Sequence, residues 1–444
     1  MASIFTWDFL YEEVTSMRIE KITVHGFRNI RNTELRLDNI LALVSLNSYG
    51  KSNLLTAIDF GIDFITVPKN AKKRMMHLIT GVPLNKQMAE EDFKFELEMT
   101  TIIDSNKYWV LYGYQFSWLK NDQPGHIVGE WLKIKKEEKG QKYSNYIIRE
   151  NDRARYKKAE TGRCDYPINV EPNELIINKL EAFDNLFFVN IVKKINMLSA
   201  YIERHFDADS AYQSGLLIRT DWDDSDVENI NDLPRAIYSL KEREPDKYEL
   251  LINSYKLLFQ QIADIEVRQA SIDREIKVNI PENVPYRIAN EIYVLRVTDK
   301  NLNQDIDFEY MSDGAKRILL LLTCIIYADI KKISLVAIEE PDNCIHPSLL
   351  RSLLIIITQL TENCRILITS HSPYLIQFIE PSNLYIGVPS NDGVAHFSSI
   401  RSSCQKALIR NASEARMTTG DYIFDLISGS EEDINELNQY LEKI

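Results

Sequence analysis

ALVSLNSYGKSNLLTAID, residues 42–59, matches the pattern of a phosphate-binding loop except at one position. The pattern G-x-x-x-x-G-K-S/T runs from position 45 to position 52, and Ser45 stands where its first glycine is expected. Upstream, "ILALVSL" is an apolar run of strand length; downstream, "SNLLTAIDFGIDFI" spaces its apolar residues as a helix does. Strand, tight loop and helix form the setting in which backbone N–H groups face an anion. Gly50 removes the Cβ that would block that approach, Lys51 adds a point charge, and Ser52 is placed to ligate Mg²⁺. A serine at position 45 is a small loss there. It would cost about 1 kcal/mol if the backbone had to turn left-handed.

Three further motifs lie in the second half of the chain. "YMSDGAKRIL" (310–319) places Ser312 and Gly314 at the start of a helix, where free N–H groups and the helix dipole favour an anion. "SLVAIEEPDNCIHP" (334–347) ends a buried strand in two carboxylates: Glu339 as the candidate Mg²⁺ ligand, Glu340 as the group that polarises an attacking water. "ILITSHSPYLI" (366–376) ends another strand in His371, 31 residues after Glu340, placed to touch a γ-phosphate or orient the water.

Composition limits the partners. The 444 residues carry 65 acidic and 52 basic side chains, a net charge of −13, so any contact with DNA is expected to be local. Cys164, Cys324, Cys344, Cys364 and Cys404 form no C-x-x-C pair, which argues against zinc and against a disulfide framework. The longest apolar run, "ILLLLTCIIYA" (318–328), is too short to span a bilayer, and a cytoplasmic location is expected. "MRIEKITVHGFRNI" reads as a natural start, which makes residues 1–16, with Phe5, Trp7, Phe9 and Tyr11, an N-terminal extension.

Along the chain, "FKFELEMTTI", "YWVLYGYQFSWL" and "GEWLKIKK" alternate as antiparallel strands with one wet face do. The stretch 133–158 holds ten Lys or Arg against four acids and reads as a solvated hairpin before it reads as a binding patch. From Pro172 to Ile276 the pattern turns helical, with Tyr248, Leu251, Ile252, Tyr255, Leu258, Ile262 and Ile265 on one face. "DWDDSDVENIND" (221–232) is a solvated acidic loop that lacks the glycine and terminal glutamate of a calcium loop. After residue 288, strands and helices alternate, with "EIYVLRVT" and "DIDFEY" as strands. Such alternation implies a parallel sheet covered on both faces.

These four motifs in this order resemble the ABC-type ATPase heads of the RecF, SMC and OLD group, most closely the RecF-like subset in bacterial anti-phage systems. The resemblance covers about residues 17–135 and 290–390. It implies an α/β fold, an ABC-type P-loop ATPase head with an antiparallel β-meander and an inserted helical domain. The expected division is 1–16 extension, 17–165 first half of the head, 166–285 helical insertion and 286–444 second half. ATP and Mg²⁺ are the implied ligands. Asn47, Gly50, Lys51, Ser52 and Asn53 are expected to contact the nucleotide, together with Ser312 and Gly314 supplied by a second copy. Ser52 and Glu339 would hold the metal, and Glu340 and His371 would carry the chemistry. No Q-loop glutamine is evident, and Gln87 is the nearest candidate. OLD nucleases add a Toprim domain, whereas about 55 residues follow Pro389 here, without the acidic cluster of a two-metal nuclease. The leading expectation is therefore an ABC-type ATPase that acts as an ATP-gated sensor or regulator in bacterial anti-phage defence, a homodimer or higher homo-oligomer holding a separate effector such as a nuclease. The alternatives are a RecF-like DNA repair or recombination clamp and a slow-turnover nucleotide-binding scaffold.

Overall fold

The computed structural model describes residues 17–77, 82–120, 123–183, 185–203, 211–212, 217–219, 232–271, 286–343, 345–361, 364–389 and 392–442. The expected extension 1–16 and residues 221–231 of the acidic loop lie outside them.

Alternating residues build a large antiparallel sheet. β1 (Arg18–Phe27), β2 (Ile30–Arg36), β4 (Phe93–Ile103), β5 (Asn106–Ser117), β6 (His126–Lys136), β7 (Ser144–Glu150), β8 (Arg153–Tyr156) and β9 (Tyr166–Pro167) pair in the order β2-β1-β4-β5-β6-β7-β8-β9. Along β4 the side chains of Phe93, Phe95, Leu97 and Met99 are buried, while Lys94, Glu96 and Glu98 face outward. This is the period-two pattern of a sheet with one wet face. The basic stretch 133–158 belongs to β6, β7 and β8 of this sheet.

β3 (Ile40–Val44) leaves that series for a second, mostly parallel sheet, ordered β10-β16-β17-β3-β18-β19. Its other members are β10 (Ala200–Glu203), β16 (Leu335–Glu339), β17 (Arg365–Ser370), β18 (Leu384–Gly387) and β19 (Phe397–Ser399), the last running antiparallel. Each inner strand serves two cores. Leu41 and Leu43 pack toward α1 (Lys51–Thr66) and the antiparallel sheet. Ala42 and Val44 pack toward the opposite cluster. Burial on both faces explains the near-continuous apolar runs of β16 and β17.

The helices follow from apolar periodicity and capping. α2 (Lys69–Met76), α3 (Ile176–Leu180) and α4 (Val189–Asn196) lie on the α1 side, and α5 (Leu233–Arg243) and α6 (Pro245–Leu258) on the other. α7 (Asp313–Ile330) buries most of its length, and its N-cap Ser312 accepts a hydrogen bond from the Ala315 N–H. α8 (Pro347–Leu360) buries Leu350, Leu353 and Ile357 against the same core. Three helices, α10 (Gln405–Glu414), α11 (Thr419–Ser428) and α12 (Glu431–Tyr440), close the chain, after the single turn α9 (Pro373–Ile376) that follows β17.

Three features differ from the sequence reading. The stretch 172–276, expected to be helical, contains β10, whose four residues pair in parallel with Leu335–Ile338, so it joins the second sheet. The helix expected through Ile265 ends at Leu258, and Ile262–Ser271 forms β12, paired antiparallel with β14 (Glu291–Asp299). Leu258, Ile262 and Ile265 are all buried, so the same apolar residues satisfy a helical spacing in sequence and a helix-to-strand junction in space. "DIDFEY" is likewise only a two-residue strand, Ile306–Asp307, followed by a 3₁₀ turn over Phe308–Tyr310.

Candidate functional site

The parallel register brings the motifs to one edge of the second sheet. β17 lies between β3 and β16, with Ser370 opposite Val44 and Thr369 opposite Glu339. All three strands therefore end side by side, where open α/β sheets bind ligands.

Gly50 caps α1 with φ 129° and no side-chain cap hydrogen bond, and no acid stands in the first turn. The first N–H groups of that helix are thus left for an anion. A Cβ at Gly50 would lie 2.9 Å from Ala395 Cβ and 3.1 Å from the Asn29 side-chain amide. The left-handed conformation considered for Ser45 falls instead on Ser48, at φ 61°. Ser45 is fully buried. Lys51 Nζ donates to the carbonyls of Ser45 (2.8 Å) and Leu46 (3.2 Å) and to Ser45 Oγ (3.3 Å). Burial lowers the lysine pKa, and the charges of Glu340 and Glu339 act against that shift.

Past β16 the chain turns through Glu340 at φ 50°, an uncommon left-handed conformation for a side chain of that size. Its N–H donates to the Thr369 carbonyl at 2.9 Å. Its carboxylate is held at both oxygens, by Asn343 Nδ2 at 2.8 Å and by His371 Nδ1 at 2.8 Å. Burial pushes this carboxyl up, but the bonds from Asn343 and His371 and the charges of His371 and Lys51 leave it below the ordinary glutamate value. Glu340 is accordingly an ionised acceptor at neutral pH. Glu339 differs in that its Oε1 is buried without a hydrogen-bond partner among the described residues. A carboxylate oxygen in that state beside a lysine-bearing phosphate loop suits a hard divalent cation.

Other expected residues are placed less directly. Ser52 and Asn47 are exposed. Asn53 accepts from Arg28 Nη1 (2.9 Å) and donates to Asn29 Oδ1 (2.8 Å), while Asn29 donates to the Tyr49 carbonyl (3.1 Å). Asn53 therefore braces the β1–β2 turn against the loop. Gln87 is exposed and, among the described residues, is held through its main chain, which accepts from Arg31 and donates to Asn85 and not to a site residue. Ser312 is exposed at the start of α7, with Gly314 half-buried behind it. Arg317 Nη2 links this helix to the carboxylate pair by donating to the Glu340 carbonyl at 3.4 Å.

Sequence reasoning missed Arg28, Asn29, Asp342, Asn343 and Arg317. Ser370 Oγ lies 3.2 and 3.4 Å from the two oxygens of Asp342 and accepts from the Ser372 N–H at 2.9 Å, which fixes the turn carrying His371. Burial raises the Asp342 pKa, opposed by its own backbone, by Ser372 and Ser370, and by His371. The signal for Asp342 and Asn343 was present, since both lie in the turn that follows the acid pair, just after Pro341. Arg28 and Asn29 lay in a different motif from the loop they support.

Among the described residues Cys164, Cys324, Cys364 and Cys404 are free thiols, no cluster of three or more His, Cys, Asp or Glu suits a metal, and no helix is long and apolar enough to cross a membrane.

The family model of the AAA ATPase domain matches residues 17–376. No curated protein matches the chain. Among solved structures, the SmcHead bound to the C-winged helix domain of ScpA is 14% identical, with a TM-score of 0.49 over 88% of this chain and 99% of that one. The SMC head domain from Thermotoga maritima is 11% identical, with a TM-score of 0.42 over 86% and 99%. The Smc head domain with an extended coiled coil, bound to the C-terminal domain of ScpA derived from Pyrococcus furiosus, is 12% identical, with a TM-score of 0.45 over 90% and 100%.

Proposed function

Because the chain belongs to the AAA ATPase domain family, we propose that it binds and hydrolyses ATP with Mg²⁺ at these strand ends and uses the cycle to control a separate effector protein. The observation that supports this most is the meeting of charges from separate motifs. Lys51 lies within the fields of Glu339 and Glu340, Glu340 grips His371, and Glu339 keeps one buried oxygen unpartnered.

In this reading Lys51 and the first N–H groups of α1 hold the phosphates, with Gly50 giving the backbone its approach. Ser52 and Glu339 would hold Mg²⁺, which would supply charge neutralisation for the phosphates. Glu340, kept ionised, takes a proton from the attacking water. His371 is fixed through Nδ1, so Nε2 is the ring nitrogen left for the substrate or the water.

Ser312 and Gly314 open α7 on the surface, and we assign them to the nucleotide of a second copy across a two-fold interface. Closure of that dimer is what an effector would sense, and we assign the effector to a nuclease of a defence system on the resemblance of the four motifs to the RecF-like ATPases of such systems. The test is to weigh the Glu340→Gln chain by light scattering with and without ATP, alone and co-expressed with the product of the adjacent gene. An ATP-dependent dimer that carries the neighbour agrees with the proposal. A monomer under both conditions, bound to nothing, ends it.

A further inference from the structure

Ser45 occupies the position where loops of this pattern carry glycine, and its hydroxyl has two contacts in a fully buried setting. Oγ donates to the Leu46 carbonyl at 3.0 Å and lies 3.3 Å from Lys51 Nζ. The ammonium also donates to the Ser45 carbonyl at 2.8 Å and to the Leu46 carbonyl at 3.2 Å. A lysine ammonium has three N–H donors. These three acceptors occupy all of them.

We propose that Ser45 is a positioning residue that holds Lys51 back against its own loop and thereby sets the affinity for nucleotide. The inference rests on ATP being the ligand, as proposed above. For Lys51 to meet a phosphate oxygen, one of its three present acceptors has to be given up. The two carbonyls belong to the backbone and stay in every variant. The hydroxyl is the longest of the three contacts and the one that a side chain supplies. Removing it leaves one N–H of a buried ammonium without its acceptor in the free protein and costs the bound state nothing, so binding tightens. Ser45 is not among the residues with left-handed backbone, so the effect belongs to the hydroxyl and not to relief of strain.

The natural chain, Ser45→Ala and Ser45→Gly are titrated with the non-hydrolysable analogue AMP-PNP in Mg²⁺ by calorimetry. Both variants should bind about fivefold more tightly than the natural chain, the size expected for one competing hydrogen bond. A serine that merely packs the loop gives the opposite sign, because loosening the loop weakens the site. Unchanged or weaker binding by Ser45→Ala therefore overturns the inference while leaving the ATP reading intact. Absence of binding by the natural chain itself overturns the ATP reading and this inference with it.

Discussion

Glu340→Gln keeps the shape of the side chain and removes both its charge and one of its acceptors. In the natural chain one carboxylate oxygen accepts from Asn343 Nδ2 and the other meets His371 Nδ1, each at 2.8 Å. Glutamine has one carbonyl oxygen and one NH₂. With its oxygen on the Asn343 amide, its NH₂ faces His371 Nδ1, and the ring must then accept there and carry its proton on Nε2. The substitution thus deletes the base and resets the tautomer of its neighbour. A positioned general base contributes about 10²–10⁴-fold, which is about 3–5 kcal/mol of barrier. Hydrolysis at saturating ATP, followed by phosphate release, should fall by at least about 100-fold. Affinity for ATP should hold within about threefold, since the carboxylate acts on water and not on the ground-state phosphate contacts. Because the Glu340 carboxyl is held below its ordinary value of 4.5, its protonation should not slow the natural enzyme between about pH 8 and pH 6. A folded Glu340→Gln protein that hydrolyses ATP within about twofold of the natural rate would refute the assignment of the base.

Gly50→Ala should lose ATP binding and lower the unfolding free energy by about 1–3 kcal/mol, because it combines a left-handed backbone with a Cβ 2.9 Å from Ala395 Cβ; thermal unfolding and ATP titration check it, and an unaltered protein would contradict the loop geometry. Glu130 is fully buried, accepting from the Ile176 and Ile177 N–H groups at 2.6 and 2.9 Å and from Tyr112, and burial pushes its carboxyl from 4.5 up to about 7. The folded state then holds a proton that the unfolded state releases, so this group's contribution to stability is fully present below pH 4.5 and about 3 kcal/mol of it is lost as pH rises to 7. Chemical denaturation at several pH values should show that slope in the natural chain and a flatter one in Glu130→Gln; parallel slopes would rule the group out. Gly314→Glu places a carboxylate at the start of α7 and should abolish the ATP-dependent dimer while leaving nucleotide binding by the monomer intact. Light scattering reads the first and calorimetry the second, and a dimer that persists would remove α7 from the interface.

The parts of the site that were legible in the sequence are those whose chemistry is local. A loop followed by a helix, an acid pair at a strand end and a histidine at another each announce themselves by residue type and spacing. The parallel register that sets Glu339 opposite Thr369 and Ser370 opposite Val44 is non-local, yet burial on both faces left a readable trace in "LVAIE" and "RILITS". What escaped was support from distant segments. Arg28 and Asn29 reach Asn53 and Tyr49 across the fold, and nothing near residues 28 and 29 points to a phosphate loop. The strand at 200–203 escaped for a different reason. Its four residues are too few to establish a period, and only its pairing with Leu335–Ile338 makes it part of the sheet. At the Leu258–Ile265 junction the apolar spacing fits one helix face, and tertiary pairing with β14 decides for a strand.

The central claim, that this loop grips ATP through Lys51 despite the serine at position 45, is tested most directly by titrating ATP against the natural chain and Lys51→Ala side by side. The ammonium is the charge that compensates the phosphates, and its loss removes charge-assisted hydrogen bonds that helix N–H groups alone do not replace. The account predicts saturable binding by the natural chain and binding weaker by at least about 100-fold in the variant. Equal affinity in the two proteins would contradict it.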